Sequence, residues 1–174
     1  MMLEKIVLLG MMGSGKSTIG KILSKKIKIS FFDTDTIIEK ECKVKIKKMF
    51  DIYGEQYFRK KEEKVILKIL SYNPALIISL GGGAFLNKKL QKEILKKTVS
   101  IWLKPNFKTI YDRCKKSNLR PLIKNNCDLK FNLKKLIKER YSVYSKANLT
   151  ITLNKTPSAI GDNIIKRLNK IINL

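Results

Sequence analysis

Residues 10–17 have the types and the spacing that bind phosphate. A glycine, four further residues and then Gly-Lys-Ser form the pattern of a phosphate-binding loop, whose backbone N–H groups surround phosphate oxygens. In such a loop Lys16 reaches the terminal phosphates and Ser17 ligates Mg²⁺. A plain glycine-rich turn is the alternative interpretation. The full pattern favours a site for a nucleoside triphosphate.

The segments on either side of this loop are those that its chemistry needs. Residues 5–9 are an apolar run that predicts a buried strand. Residues 17–27 place their isoleucines and a leucine on one helical face. A helix that starts at the loop adds the positive potential of its N-terminus to the phosphate site.

Strand-like and helical patterns alternate along the whole chain. Strands are predicted at residues 5–9, 30–33, 75–80, 98–103 and 149–153. Helices are predicted at about 17–27, 35–41, 55–71, 87–96, 106–116, 129–146 and 157–172, the last starting at Thr156-Pro157. This alternation predicts a single α/β domain over residues 1–174, with a five-stranded parallel sheet flanked by helices. Ligands are then expected at the carboxyl ends of the strands.

Two carboxylates follow the second predicted strand. Asp33 is placed to hold Mg²⁺, and Asp35 to accept a hydrogen bond from a substrate hydroxyl. Helix capping is the alternative, because an aspartate before an apolar run is a natural helix start. We favour function, since a metal carboxylate is needed at the strand end beside a phosphate loop.

Arginine is rare in this chain, with five arginines among 38 basic residues. Only a guanidinium group binds carboxylate or phosphate through two parallel hydrogen bonds, so each arginine in a lysine-rich chain suggests a specific role. Arg167 is on the last predicted helix and is expected at the surface. The other four are candidates for anion recognition: Arg59, Arg113, Arg120 and Arg140.

Three glycines at residues 81–83 follow the third predicted strand and would let a ligand approach the backbone closely. Arg59 lies on a predicted helix with Glu62 and Glu63 one turn further on. It is a candidate clamp for a substrate carboxylate, steadied by one of these glutamates. A surface ion pair is the alternative for Arg59. Arg140 follows Glu139 on a predicted helix, and the alternative for it is a residue that only pairs with another one helical turn away.

The polar segment from Lys115 to Lys130 breaks the helical pattern and is predicted to be a mobile lid. Arg113 and Arg120 flank its start. An arginine on a closing lid can neutralise charge on a phosphoryl group during transfer.

The composition limits the remaining classes of function. The net charge of +24 comes mainly from lysines spread along the chain, and no aromatic residues interleave with a basic patch. We therefore expect only non-specific nucleic-acid binding that fades with salt. The chain has no histidine and three scattered cysteines, which excludes imidazole chemistry and favours a reducing cytoplasm. No membrane span is predicted, and we expect a monomer.

Five motifs in order resemble those of shikimate kinases, within the nucleoside monophosphate kinase-like P-loop group. They are Gly-Met-Met-Gly-Ser-Gly-Lys-Ser-Thr-Ile-Gly (10–20), Asp-Thr-Asp (33–35), Gly-Glu-x-x-Phe-Arg-x-x-Glu (54–62), Gly-Gly-Gly-Ala (81–84) and Arg-Pro-Leu (120–122). The resemblance implies a P-loop kinase fold with a mobile lid at about 114–128 and substrate-binding helices at about 34–62. It implies phosphoryl transfer from ATP, with Mg²⁺, to the 3-hydroxyl of shikimate.

The resemblance also implies roles for individual residues. Those expected at ATP are Gly13, Ser14, Gly15, Lys16, Ser17, Thr18, Arg113, Arg120 and Lys155. Those expected at shikimate are Asp35, Arg59, Gly82 and Arg140, and those expected near Mg²⁺ are Ser17 and Asp33. Lys16, Asp35 and Arg120 would take part in catalysis, and Arg113 and Lys155 would contact adenine.

The chain departs from the family pattern at Lys43, where many members have glycine, so the turn after the second helix is an open question. Two alternatives remain at this stage. One is another small-molecule kinase of the same group, such as a gluconate kinase, and the other is a basic P-loop protein that acts on nucleic acid.

Overall fold

The computed structural model describes residues 5–116 and 129–172. In these residues five strands form one sheet. They are β1 (Lys5–Leu9), β2 (Ser30–Asp33), β3 (Leu76–Ser79), β4 (Thr98–Lys104) and β5 (Leu149–Thr152). All pairings are parallel, and the strand order is β2-β3-β1-β4-β5. The fold class predicted from the alternating patterns is confirmed.

Seven helices connect and cover these strands in the described ranges. They are α1 (Lys16–Ile27), α2 (Thr34–Cys42), α3 (Ile46–Leu70), α4 (Lys88–Lys97), α5 (Phe107–Lys115), α6 (Leu129–Tyr144) and α7 (Pro157–Ile172). Side chains cap several of their N-termini. Asn87 accepts hydrogen bonds from two backbone N–H groups of α4, and Asn106 accepts one from α5.

The order of the strands determines where a ligand can bind. β1 lies in the centre and pairs with β3 on one side and β4 on the other. The chain therefore reverses its winding direction at β1, and such a reversal opens a crevice at the carboxyl ends of the strands. The phosphate loop follows β1 directly and lies in this crevice.

Both faces of the sheet are covered by apolar side chains, because successive residues of a strand point to opposite faces. In β1, Ile6 and Leu8 pack with residues of α1 and α7, whereas Val7 and Leu9 pack with residues of α3 to α6. Burial on both faces explains why the strands are continuous apolar runs in the sequence.

Helix α3 begins earlier than predicted. Its predicted start is residue 55, but the helix begins at Ile46 and contains a break at Gly54, where φ is 77° and ψ is 169°. Glycine is suited to this conformation because it has no Cβ. The predicted helix at about 55–71 therefore covers only the part of α3 that follows the break.

The turn left open by the departure at Lys43 is made without glycine. Lys43 adopts a left-handed conformation with φ 53° and ends α2. Lys28 does the same at the end of α1, with φ 54°. The predicted lid falls largely on residues 117–128, which lie outside the described residues. No helix within residues 5–116 and 129–172 is long and apolar enough to span a membrane.

Candidate active site

The phosphate loop is an ordered turn between β1 and α1. Gly10, Gly13 and Gly15 all have positive φ values, which lets the backbone fold around the space that phosphate would occupy. Lys16 Nζ donates to the carbonyl oxygens of Gly10 and Met11, both at 3.0 Å. The loop thus already holds the lysine ammonium group at its centre.

Asp33 performs two tasks at the end of β2. Its Oδ1 accepts hydrogen bonds from the N–H groups of Asp35 and Thr36, at 3.2 and 3.3 Å, and caps α2. Its Oδ2 accepts a hydrogen bond of 2.6 Å from Ser17 Oγ. The capping interpretation is therefore confirmed, and the second oxygen faces the phosphate loop. A hydroxyl and a carboxylate oxygen side by side suit a hard cation such as Mg²⁺.

Asp35 lies in the first turn of α2, and its Oδ1 is buried without a hydrogen-bond partner among the described residues. Burial raises the pKa of this carboxyl, and the nearby charge of Asp33 adds to the effect, while Lys16 and Arg59 oppose it. A buried carboxylate with an unused oxygen can accept a hydrogen bond from a ligand hydroxyl.

Arg59 is held by two glutamates. Its Nε and Nη2 donate to Glu55 Oε1, at 3.1 and 3.0 Å, and its Nη1 donates to Glu62 Oε2 at 2.6 Å. Burial opposes the charge of Arg59, but the interactions with Glu62 and Glu55 outweigh it and raise its pKa. Of the two glutamates considered in the sequence analysis, Glu62 is the partner, whereas Glu63 pairs with Lys89 at 2.7 Å.

Arg140 projects from α6 and is 3% exposed. Its Nε and Nη1 are buried without a hydrogen-bond partner among the described residues. Such burial is unlike that of a surface ion pair. A buried guanidinium with unused donors is a strong site for an anionic ligand, because leaving it unpaired is costly.

The three glycines after β3 approach both arginines. A Cβ built on Gly82 would lie 3.2 Å from Arg140 Nη1, and one built on Gly83 would lie 2.5 Å from Arg59 Nη2. Thr34 anchors the start of this loop, since its hydroxyl donates to Ser79 O and accepts from Gly81 N, both at 3.1 Å. Side chains at these positions would displace the guanidinium groups.

Two further cations lie at the other end of the phosphate loop. Arg113 Nη1 donates to the carbonyl oxygen of Gly13 at 2.8 Å. Lys155 is exposed and follows β5. Both line the same cleft as the loop. The structure thus places positive charge on both sides of the phosphate loop.

The cleft has a volume of about 1280 Å³ and brings together thirteen residues predicted to function. They are Gly13, Ser14, Gly15, Lys16, Ser17, Thr18, Asp33, Asp35, Arg59, Gly82, Arg113, Arg140 and Lys155. Arg120 lies outside the described residues. Arg167 is exposed on α7, as expected, and donates to Thr150 O at 3.3 Å.

Sequence reasoning missed several residues at the cleft. Ile46 and Phe50 in the first half of α3 line its wall, together with Phe58. Ile46 and Phe50 are four residues apart, which is typical of one face of a helix. Lysines alternate with apolar residues at 43–47, as in a strand, and this alternation obscured the helical spacing. Tyr144 was also missed, because nothing local connects it with Gly82, whose carbonyl oxygen accepts its hydroxyl hydrogen bond.

A phosphate loop where a parallel sheet reverses its winding direction, with Arg59 and the buried Arg140 lining the same cleft, defines the P-loop kinase class. The family model described as shikimate kinase matches residues 12–169. A shikimate kinase from Bartonella henselae is 40% identical over 162 residues, which are 92% of this chain and 76% of that protein. A shikimate kinase from Sulfurihydrogenibium sp. is 38% identical over 169 residues, which are 97% of this chain and 99% of that protein. This chain belongs to the shikimate kinase family.

Solved structures agree with this assignment. A shikimate kinase from Acinetobacter baumannii in complex with shikimate has a TM-score of 0.89 and 29% identity, over 98% of this chain and 94% of that one. A gluconokinase from Sinorhizobium meliloti has a TM-score of 0.60 and 12% identity, which reflects the shared fold alone. The chain is therefore an ATP-dependent kinase, and the resemblance stated from its motifs is confirmed.

Proposed function

We propose that this chain transfers the γ-phosphoryl group of ATP to the 3-hydroxyl of shikimate, giving shikimate 3-phosphate and ADP for chorismate and aromatic amino-acid synthesis. One observation carries the proposal. Arg140, 3% exposed and with unused Nε and Nη1 donors, lies in the same cleft as the phosphate loop. Such a group suits a ring acid bound beside a nucleotide.

The acceptor half of the cleft contains the groups that this substrate needs. Arg59 and Arg140 would bind its carboxylate, with Gly82 between them and the phosphate loop. Asp35 would accept a hydrogen bond from a ring hydroxyl through its unused Oδ1. Because the transition state of phosphoryl transfer is loose, little proton removal is needed before the phosphoryl group moves. Asp35 then orients the hydroxyl and takes its proton late.

The donor half would bind the triphosphate of ATP through the loop amides and Lys16. Ser17 and Asp33, whose oxygens are 2.6 Å apart, would hold Mg²⁺ together with phosphate oxygens and water. The bound ion would neutralise phosphate charge. Residues 5–116 and 129–172 contain no cluster of three carboxylates or thiols that could hold a metal by itself, which agrees with a site completed by the nucleotide.

The remaining assignments follow the same division of the cleft. Arg113 and Lys155, at the outer end of the phosphate loop, would contact adenine. Arg120, on the lid at about 114–128, would neutralise the migrating phosphoryl group. We further propose one domain over residues 1–174, with the substrate-binding helices at about 34–62, acting as a monomer in the cytoplasm, where ATP and Mg²⁺ are supplied.

The direct test is ADP release, coupled to a spectroscopic readout, with shikimate, gluconate and nucleoside monophosphates as separate acceptors. Of these acceptors, we expect only shikimate to support turnover. The dependence of this turnover on Mg²⁺ is measured with and without a chelator. Turnover with gluconate would instead support a sugar-acid kinase. Nucleic-acid binding at physiological salt without ADP release would overturn the kinase assignment altogether.

Replacing Arg59 by lysine tests the carboxylate clamp. Arg59→Lys keeps the charge but loses the planar fork, so the KM for shikimate should rise roughly tenfold while the KM for ATP stays within about twofold. Arg167→Lys is the matched control, because Arg167 lies on α7 and outside the cleft. An unchanged KM for shikimate in Arg59→Lys would remove Arg59 from the clamp.

A further inference from the structure

Tyr144 is the last residue of α6, and its side chain is almost completely buried, at 1% exposed. Its ring packs near Trp102, with centroids 5.9 Å apart. Its hydroxyl donates a hydrogen bond to the carbonyl oxygen of Gly82. Burial raises the pKa of Tyr144 to about 12, so the phenol keeps its proton and remains a donor at neutral pH.

Arg140 lies four residues earlier on the same face of α6. Its positive charge partly opposes the rise in the pKa of Tyr144, so the guanidinium lies near the phenol. The hydroxyl that binds the backbone of the glycine loop is therefore close to the buried guanidinium. A phenylalanine would fill the same space against Trp102, so packing alone does not explain the hydroxyl.

Gly82 lies where the two halves of the cleft meet. A Cβ on Gly82 would lie 3.2 Å from Arg140 Nη1 and 3.5 Å from the backbone nitrogen of Met12 in the phosphate loop. A shift of this peptide would therefore move the wall between the acceptor and donor sites. Small displacements of groups that orient a substrate have large effects on its binding and reaction.

We propose that Tyr144 is a positioning residue of the acceptor site, whose hydroxyl holds the Gly82 peptide in place beside the Arg140 guanidinium before substrate binds. This inference rests on the proposed function, because it assumes that Arg140 binds the carboxylate of the acceptor. Tyr144 is not among the residues that line the cleft, and it acts through Gly82, which lies beside Arg140.

The test compares Tyr144→Phe with Tyr141→Phe. Tyr141 is the matched control, since it lies on the same helix and packs edge-on against Trp102, at 4.8 Å, while its hydroxyl makes no hydrogen bond to a described residue. Shikimate binding is measured by titration calorimetry without nucleotide, in the cold and below both melting temperatures, and KM values are measured for both substrates.

We expect Tyr144→Phe to weaken shikimate binding about three- to tenfold, which corresponds to the loss of one buried hydrogen bond. The KM for ATP should stay within about twofold, and Tyr141→Phe should change neither value by more than about twofold. A general loss of stability would affect both substrates alike. Equal shikimate affinity in the two variants would overturn the inference.

A double-mutant cycle with Arg140→Lys tests the connection itself. If Tyr144 acts with Arg140, the double variant should lose less affinity than the two single variants combined. Full additivity would contradict the inference. Wild-type enzyme that neither binds shikimate nor releases ADP with it would overturn the proposed function, whereas active wild type with an unaffected Tyr144→Phe would overturn this inference alone.

Discussion

Asp35 and Glu62 present buried carboxylate oxygens to the same point beside Gly81. A Cβ built on Gly81 would overlap Glu62 Oε1 and lie 2.8 Å from Asp35 Oδ1, and neither oxygen has a hydrogen-bond partner among the described residues. Burial raises the pKa of both carboxyls. Two buried carboxylates near the Arg140 guanidinium, whose Nε and Nη1 have no partner among the described residues, cost stability in the absence of ligand, as is common at functional sites.

Asp35→Asn should therefore raise the stability of the protein and lower its activity. The folded-state pKa of Asp35 is raised, so the ionised carboxylate destabilises the fold at pH 7. This penalty shrinks as the pH falls through the raised value and vanishes below the pKa of the unfolded state. We expect the variant to melt at a higher temperature than wild type at pH 7, with the difference shrinking toward pH 4, and to lose most of its kcat.

Thermal melts from pH 7 to pH 4 measure this difference, with Asp112→Asn as the control. Asp112 is an exposed carboxylate on α5, away from the cleft lining, so its replacement should have a smaller effect that varies less with pH. A lower melting temperature for Asp35→Asn at pH 7 would show that burial of this charge is compensated in the folded protein.

At the scale of elements, the turn between α2 and α3 and the break within α3 position the residues on the acceptor side of the cleft. Asp35 lies on α2, and Phe50, Phe58 and Arg59 lie on the two halves of α3, on either side of the break at Gly54. The α2–α3 turn passes through Lys43 in a left-handed conformation, which non-glycine residues adopt at a cost. The connection between α2 and α3 therefore carries backbone strain at Lys43.

Lys43→Gly should relieve this strain. We expect stabilisation of roughly 0.5–1 kcal/mol, because the left-handed penalty exceeds the extra entropy that glycine loses on folding. Lys28→Gly, at the end of α1 with φ 54°, should behave alike. Lys64→Gly, at an exposed position within α3, should instead destabilise by about 1 kcal/mol. Chemical denaturation measures all three, and a destabilised Lys43→Gly would show that the lysine side chain contributes more than its backbone costs.

At the scale of the whole molecule, the net charge of +24 favours anionic substrates. Part of this charge lies at the cleft. Lys45 pairs with Glu39 at 2.7 Å, whereas Lys47 and Lys48 are exposed on the cleft lining at the start of α3. Their position beside the acceptor half suits attraction of a carboxylate rather than specific binding.

The double variant Lys47→Gln/Lys48→Gln should lower kcat/KM for shikimate by roughly two- to fivefold at low salt and flatten its dependence on ionic strength. Lys166→Gln/Lys170→Gln on α7 removes the same charge from exposed positions outside the cleft and should have a smaller effect. Steady-state kinetics over a salt series provide the comparison. Equal losses in both variants would show that only the total charge matters.

The sequence predicted the sheet and most helices well, because their signals are local. The apolar run of β1, the loop from Gly10 to Ser17 and the Thr156-Pro157 helix start each depend on neighbours along the chain. The prediction is less complete around residues 43–54 because the left-handed Lys43 and the break at Gly54 inside α3 are backbone conformations that apolar periodicity does not reveal.

By itself, the sequence determined the chemistry available: a phosphate loop, paired aspartates, a glycine run and a few arginines in a lysine-rich chain. Only the tertiary structure decided which groups meet. In the folded protein Arg140 is buried, and Glu62 rather than Glu63 pairs with Arg59. Tyr144 binds Gly82, which is 62 residues away in the sequence. Residue types and periodicity are local properties, whereas burial and partner choice depend on how distant segments pack against one sheet.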